Sequence, residues 1–92
     1  MSKKTTVSLG NALDIASVSE LKKRFENALT KDLPVTLSAN KVEKADTAGL
    51  QLAYAFVKKV EANGHDINWQ SPSDVLVQTS EILGMQEHLN LS

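Results

Sequence analysis

The sequence predicts an α/β domain with a partly parallel sheet. Three observations carry this. Short segments alternate apolar and polar residues with the period of a strand. Longer segments between them repeat apolar residues at helical spacing, and capping or turn residues stand at the junctions. The 92 residues suffice for one core and not for two, so a single domain is expected over 1–92, with its core over about 5–91.

Val7 and Leu9 alternate with polar neighbours up to Gly10-Asn11, which reads as a strand and a turn. Leu13 and Ile15 fit a second short extended piece. Ser17-Val18-Ser19-Glu20 has capping-box spacing, so a helix is expected from Ser17. Val18, Leu21, Phe25, Ala28 and Leu29 form its inner stripe, and Lys31-Asp32 closes it. Val35, Leu37 and Ala39 mark the next strand, and Asn40 to Lys44 a polar connection. The central helix follows over roughly Ala48 to Ala62, with Gly49, Leu52, Ala53, Phe56, Val57 and Val60 facing inward. Asn63-Gly64 stops it, glycine being free to take the left-handed cap conformation. Asp66 to Gln70, centred on Ile67 and Trp69, reads as a third strand, with Trp69 packed in the core or at the sheet edge. Ser71-Pro72 is expected to open a last helix, whose inner face carries Val75, Leu76, Thr79, Ile82 and Leu83 before Gly84. Met85 to Leu91 reads either as a short terminal strand or as one more helical turn.

Composition excludes several functions. With no cysteine, disulfides, thiolate metal sites and cysteine nucleophiles are all ruled out, in keeping with a reducing, cytoplasmic setting. Ten basic against eleven acidic residues give a net charge of −1, without the basic excess expected of a nucleic-acid binder. Ser2-Lys3-Lys4 is followed by no apolar run long enough for a signal peptide, and Leu50 to Val57, broken by Gln51, is far short of a membrane span. No direct membrane insertion is expected. The two histidines, His65 in a turn and His88 near the C-terminus, lack metal-ligand spacing, and no phosphate-binding glycine loop is present. Asp46 beside Thr47 superficially resembles a base and a nucleophile, but no orienting third group accompanies them. The expectation is a protein without enzymatic activity, catalytic residues, metal or cofactor.

Asp46-Thr47-Ala48-Gly49-Leu50 is the most informative stretch. In one reading it is a helix start in which Thr47 caps and Ala48 and Gly49 fill the first turn. Gly49 then needs its own reason, since glycine there is less favourable than alanine by about 0.5–1 kcal/mol. Its place on the inner stripe indicates a close helix-to-sheet approach with no room for a side chain. In the other reading the Thr47 hydroxyl is a modification point. A helix N-terminus tolerates a phosphate, which would add nearly two negative charges beside Asp46 and alter a binding surface. Gln51, Tyr54, Ala55, Lys58 and Lys59 lie on the outer side of the same helix. Tyr54 beside Ala55 suits a contact patch, tyrosine being enriched at interfaces, and equally suits the rim of the core.

Taken in order, these motifs resemble the STAS domain family over roughly Val7 to Leu91. Leu9-Gly10 followed by Leu13-Asp14 resembles the family's Gly-x-Leu-Asp opening. Val42 followed by Ala45-Asp46-Thr47-Ala48-Gly49-Leu50 resembles its Val-x-x-Ile-Asp-Ser-Ser-Gly-Leu signature. Gly64 and Leu83-Gly84-Met85 fall where the family has a glycine turn and a Leu-Gly-Leu. The resemblance implies a mixed sheet flanked by helices. It also implies a role like that of anti-sigma factor antagonists, whose signature serine, at the position of Thr47, is phosphorylated by a partner kinase that is itself the anti-sigma factor. Asp46, Thr47, Ala48, Gln51, Tyr54, Ala55 and Lys58 are then the expected partner-binding residues, Thr47 the candidate phosphorylation site and Gly49 a structural turn residue. Ser38 stands where the family usually has an aspartate. The Asp-Thr-Ala-Gly-Leu form looks closer to a shorter subgroup, which includes the STAS subunit of a phospholipid-trafficking ABC transporter and proteins that accompany chemotaxis components. The implied partner is therefore an anti-sigma factor kinase, an ABC transporter ATPase subunit or a chemotaxis component, met by a chain that is monomeric when free.

Overall fold

The computed structural model of the chain describes residues 3–91, so Ser2 and the other ends of the domain expected over 1–92, residues 1 and 92, lie outside the description. Strands and helices alternate as β1 (Thr5–Ser8), β2 (Ala12–Leu13), a 3-10 turn (Ile15–Ser17), α1 (Val18–Thr30), β3 (Val35–Ser38), β4 (Lys44–Ala45), α2 (Thr47–Ala62), β5 (Ile67–Gln70) and α3 (Asp74–Ile82). β1, β3 and β5 form one sheet in that order, and β2 pairs with β4 in a second, shorter one. The expected partly parallel sheet is parallel in every described ladder, because helices carry the chain back between neighbouring strands.

Register follows the period-2 pattern. Val7 pairs with Leu37 and Leu37 with Trp69, while Thr6, Thr36 and Asn68 line up on the opposite, polar face. The apolar face meets α1 and α2, whose Phe25 and Phe56 rings stack with centroids 4.3 Å apart. These residues belong to one core together with Leu9, Leu13, Leu50, Val57, Leu76 and Leu89. Trp69 packs on its edge and donates its indole N–H to the Leu89 carbonyl at 2.6 Å, so the last turn is tied down from below. That segment is the helical turn rather than the terminal strand, with the Leu89 amide bonded to the Met85 carbonyl at 3.0 Å.

The end of α2 forms as the sequence indicates. Gly64 takes φ +81°, its amide bonds to the Glu61 carbonyl, and the His65 amide reaches back to Val60. Four details differ from expectation. The Ser17 hydroxyl makes no capping bond, because Ser17 sits at φ −102°, ψ −2° rather than in the extended conformation a capping residue needs. Ile15 belongs to the 3-10 turn, not to a strand. On the inner stripe of α2, Leu50 is fully buried and Leu52 only half-buried. Finally, α3 starts at Asp74 with Ser73 as its cap, since Ser71 adopts φ +49° and Pro72 precedes the cap. Of the inner face expected there, Leu76 is buried and Thr79 half-buried, joined by the buried Ser80, whereas Val75, Ile82 and Leu83 are exposed.

Candidate functional site at the Asp46–Leu50 turn

The site is built by β2 and β4. Their pairing, Ala12 with Lys44 and Leu13 with Ala45, ends on two aspartates, Asp14 and Asp46, each in extended conformation. Two strand ends in register necessarily deliver their following turns side by side. Each carboxylate then caps the turn after it. Asp14 Oδ1 accepts from the Ser17 amide at 3.1 Å, and Asp46 Oδ1 from the Gly49 amide at 2.9 Å. Asp46 also ties the two turns together, since its Oδ2 accepts from the Ile15 amide at 3.0 Å and its own amide donates to the Leu13 carbonyl at 3.1 Å. Bonding to the Gly49, Ile15 and Ala48 amides holds the Asp46 carboxyl below its ordinary value, the Gly49 bond being the largest cause.

Gly49 closes this arrangement from the helix side. A Cβ at that position would stand 1.9 Å from the Leu13 carbonyl oxygen and 2.8 Å from the Asp14 amide nitrogen. The first turn of α2 therefore lies directly on the backbone leaving β2. The close approach expected from the inner-stripe glycine is present, and its partner is the short β2–β4 unit.

One expectation changes here. Thr47 is not the cap of α2; Asp46 is, and Thr47 is the first helical residue. The reason is conformational. Asp46 is the last extended residue (φ −139°, ψ 178°), so its carboxylate, and not the next hydroxyl, reaches the Gly49 amide. Thr47 is exposed, and among the described residues its hydroxyl makes no hydrogen bond. Both Asp46 oxygens are engaged by amides, and among the described residues no hydrogen bond joins that carboxylate to the Thr47 hydroxyl.

The remaining candidates fall on one side of α2. Thr47, Gln51 and Lys58 are exposed along a helical stripe, with Ala55 exposed beside it and Ala48 half-buried. Lys58 pairs with Glu61 at 3.8 Å. Tyr54 is half-buried. The His88 ring meets it edge-on at 5.5 Å and the Lys58 ammonium lies 5.6 Å from its centroid, so this end of the stripe is already partly covered by the chain's own last turn. His65 is hydrogen-bonded to Asp32 at 2.7 Å, away from this surface in sequence and in partners. The sequence reading missed Ile15. It is 72% exposed, and its amide is held by Asp46, which places an apolar side chain next to the Thr47 turn. The signal that could have found it is Asp14-Ile15-Ala16-Ser17, an aspartate three residues before a serine amide, which marks a capped turn rather than a strand.

A family model described as Mlab, STAS domain matches residues 1–91. The chain belongs to the STAS domain family. STAS domains generally mediate protein–protein interactions. The Asp46–Leu50 stretch that resembles the family's signature is the capped turn just described. A comparison with curated proteins gave no match to this STAS chain. Among its described residues no helix is long and apolar enough to cross a membrane.

Proposed function

We propose that this STAS domain is a non-enzymatic, cytoplasmic interaction switch resembling the anti-sigma factor antagonists. It docks on a partner kinase or ATPase through the Thr47 turn and the exposed side of α2, and phosphorylation of Thr47 regulates the contact. The observation that carries this reading is the division of labour at the turn. Asp46 caps the helix, so the exposed Thr47 hydroxyl is left unengaged. A group added to Thr47 changes the surface without removing the bonds that start α2. A phosphate there adds nearly two negative charges beside an ionised Asp46, enough to repel a partner that accepts the unmodified turn.

The test is recovery of the tagged chain from cells in several growth states. The expected result is a fraction of chains phosphorylated at Thr47, with the partner retained by Thr47→Ala and lost by Thr47→Glu. An unmodified Thr47 in every growth state, together with equal partner recovery by both variants, would count against the switch.

A second reading is a constitutive accessory subunit of a phospholipid-trafficking ABC transporter ATPase, or of a chemotaxis complex. Two observations favour it: Ser38 in place of the family's usual acid, and a matching family model described as Mlab rather than as an anti-sigma antagonist. It is distinguished by co-purification of an ATPase subunit with Thr47 unmodified throughout.

A further inference from the structure

We propose that the free edge of β1 accepts an extended, acidic segment of a partner protein as an added strand, with Lys31 and Arg24 beside it. Among the described residues β1 has a strand neighbour on one side only, β3. Its bonds to β3 run through alternate residues: the Thr5 amide donates to the Pro34 carbonyl at 2.9 Å and the Leu9 amide to the Ser38 carbonyl at 3.0 Å. Alternation therefore turns the backbone groups of Thr6 and Ser8 away from the sheet. The Arg24 side chain confirms that direction by donating Nη1 to the outward Ser8 carbonyl at 2.9 Å. This leaves the Thr6 N–H, the Thr6 carbonyl and the Ser8 N–H facing an open groove of about 320 Å³ between β1 and α1. Backbone pairing along such an edge supplies affinity, and flanking side chains supply choice.

The charge around the edge decides the occupant. Arg24, Asn27 and Lys31 follow at helical spacing along the side of α1 that lines the groove. Lys31 Nζ lies 3.4 Å from Thr5 Oγ1 and, among the described residues, forms no salt bridge. Lys3 and Lys4 lead into β1 and are exposed. Among the described residues no acid lines the groove. Glu20, one turn from Arg24 on α1, is bonded to it, so Lys31, Lys3 and Lys4 carry the unpaired positive charge. An incoming strand with carboxylates meets complementary charge. A second copy of β1, paired antiparallel, would instead bring its lysines against Arg24.

The probe is a fluorescein-labelled extended peptide of alternating threonine and glutamate, with its threonine–lysine counterpart as comparison, titrated onto the full chain. Expected are saturable binding of the glutamate peptide and slowed exchange of the Thr6 and Ser8 amides. Thr6→Pro removes an outward N–H without touching the β1–β3 bonds, and should weaken binding about tenfold. Lys31→Glu should weaken it in the same direction with the fold intact by circular dichroism. Three results would overturn the proposal: equal binding of the lysine peptide, exchange protection at residues other than those of β1, or no binding, which would make the cations a guard on the edge. Protection of Thr6 and Ser8 in the chain alone as concentration rises would assign the edge to a second copy and also overturn it.

Discussion

Gly49 occupies a position where sterics outweigh propensity. Replacing it with alanine improves intrinsic helix propensity by about 0.5–1 kcal/mol, yet places a methyl inside the Leu13 carbonyl. The backbone on that side cannot yield as a flexible side chain would. Gly49→Ala is therefore expected to destabilise the fold by about 1–3 kcal/mol, read as a lowered urea midpoint. Asp46 makes a second testable contribution at this scale. Its carboxyl lies below its ordinary value of 3.8 in the folded chain, so on acidification the unfolded chain takes up the proton first. The stability it contributes is present above 3.8 and is lost as pH falls through that value toward the folded one. Asp46→Asn keeps an acceptor for Gly49 but turns an amide donor toward the Ile15 N–H. Urea midpoints across the acid range should be lower for Asp46→Asn at neutral pH and should lack the wild type's decline near 3.8 that this group causes.

At the scale of elements, the three helix starts use two different devices. Asp46 and Ser73 cap α2 and α3 through their side chains, whereas α1 grows out of a 3-10 turn that Asp14 holds. Ser73→Ala is accordingly expected to cost about 1 kcal/mol, and Ser17→Ala less than about 0.5 kcal/mol, in thermal or urea unfolding. Equal losses would restore the capping box read from the sequence. Much of each element was legible in advance. The Phe56, Val57, Val60 stripe and the alternation in β3 and β5 came from periodicity, which reports burial directly, and the Gly64 stop from glycine's access to positive φ. β4 was illegible because two residues carry no period. The α3 face was misread in part because Ser80, which is buried, carries no apolar signal, whereas Val75, Ile82 and Leu83 are apolar yet exposed. Leu52 was counted because it lies on the rim of the α2 stripe, where it is half-buried, and the fully buried Leu50 was passed over.

For the whole molecule, the parallel β2–β4 unit connects the fold to the candidate docking turn. It sets two capped turns side by side, joined by Asp46 and packed without a gap against Gly49, and so presents Thr47, Gln51 and Ile15 on a rigid base. The turn was legible as a candidate site because an aspartate, a hydroxyl and a glycine stood together at a helix start. The place of Ile15 beside it was not, since that depends on Asp46, some thirty residues later in sequence, bonding the Ile15 amide. Nor was the covering of Tyr54 by His88, which only the path of the last turn determines. The most direct measurement of the docking surface is amide hydrogen exchange on the chain alone and in complex with its co-purified partner. The expected result is added protection concentrated over Ile15–Ser17 and the first turns of α2, and absent from a Thr47→Glu chain. Protection confined to α3 or the polar sheet face, unaltered by Thr47→Glu, would contradict docking through this turn.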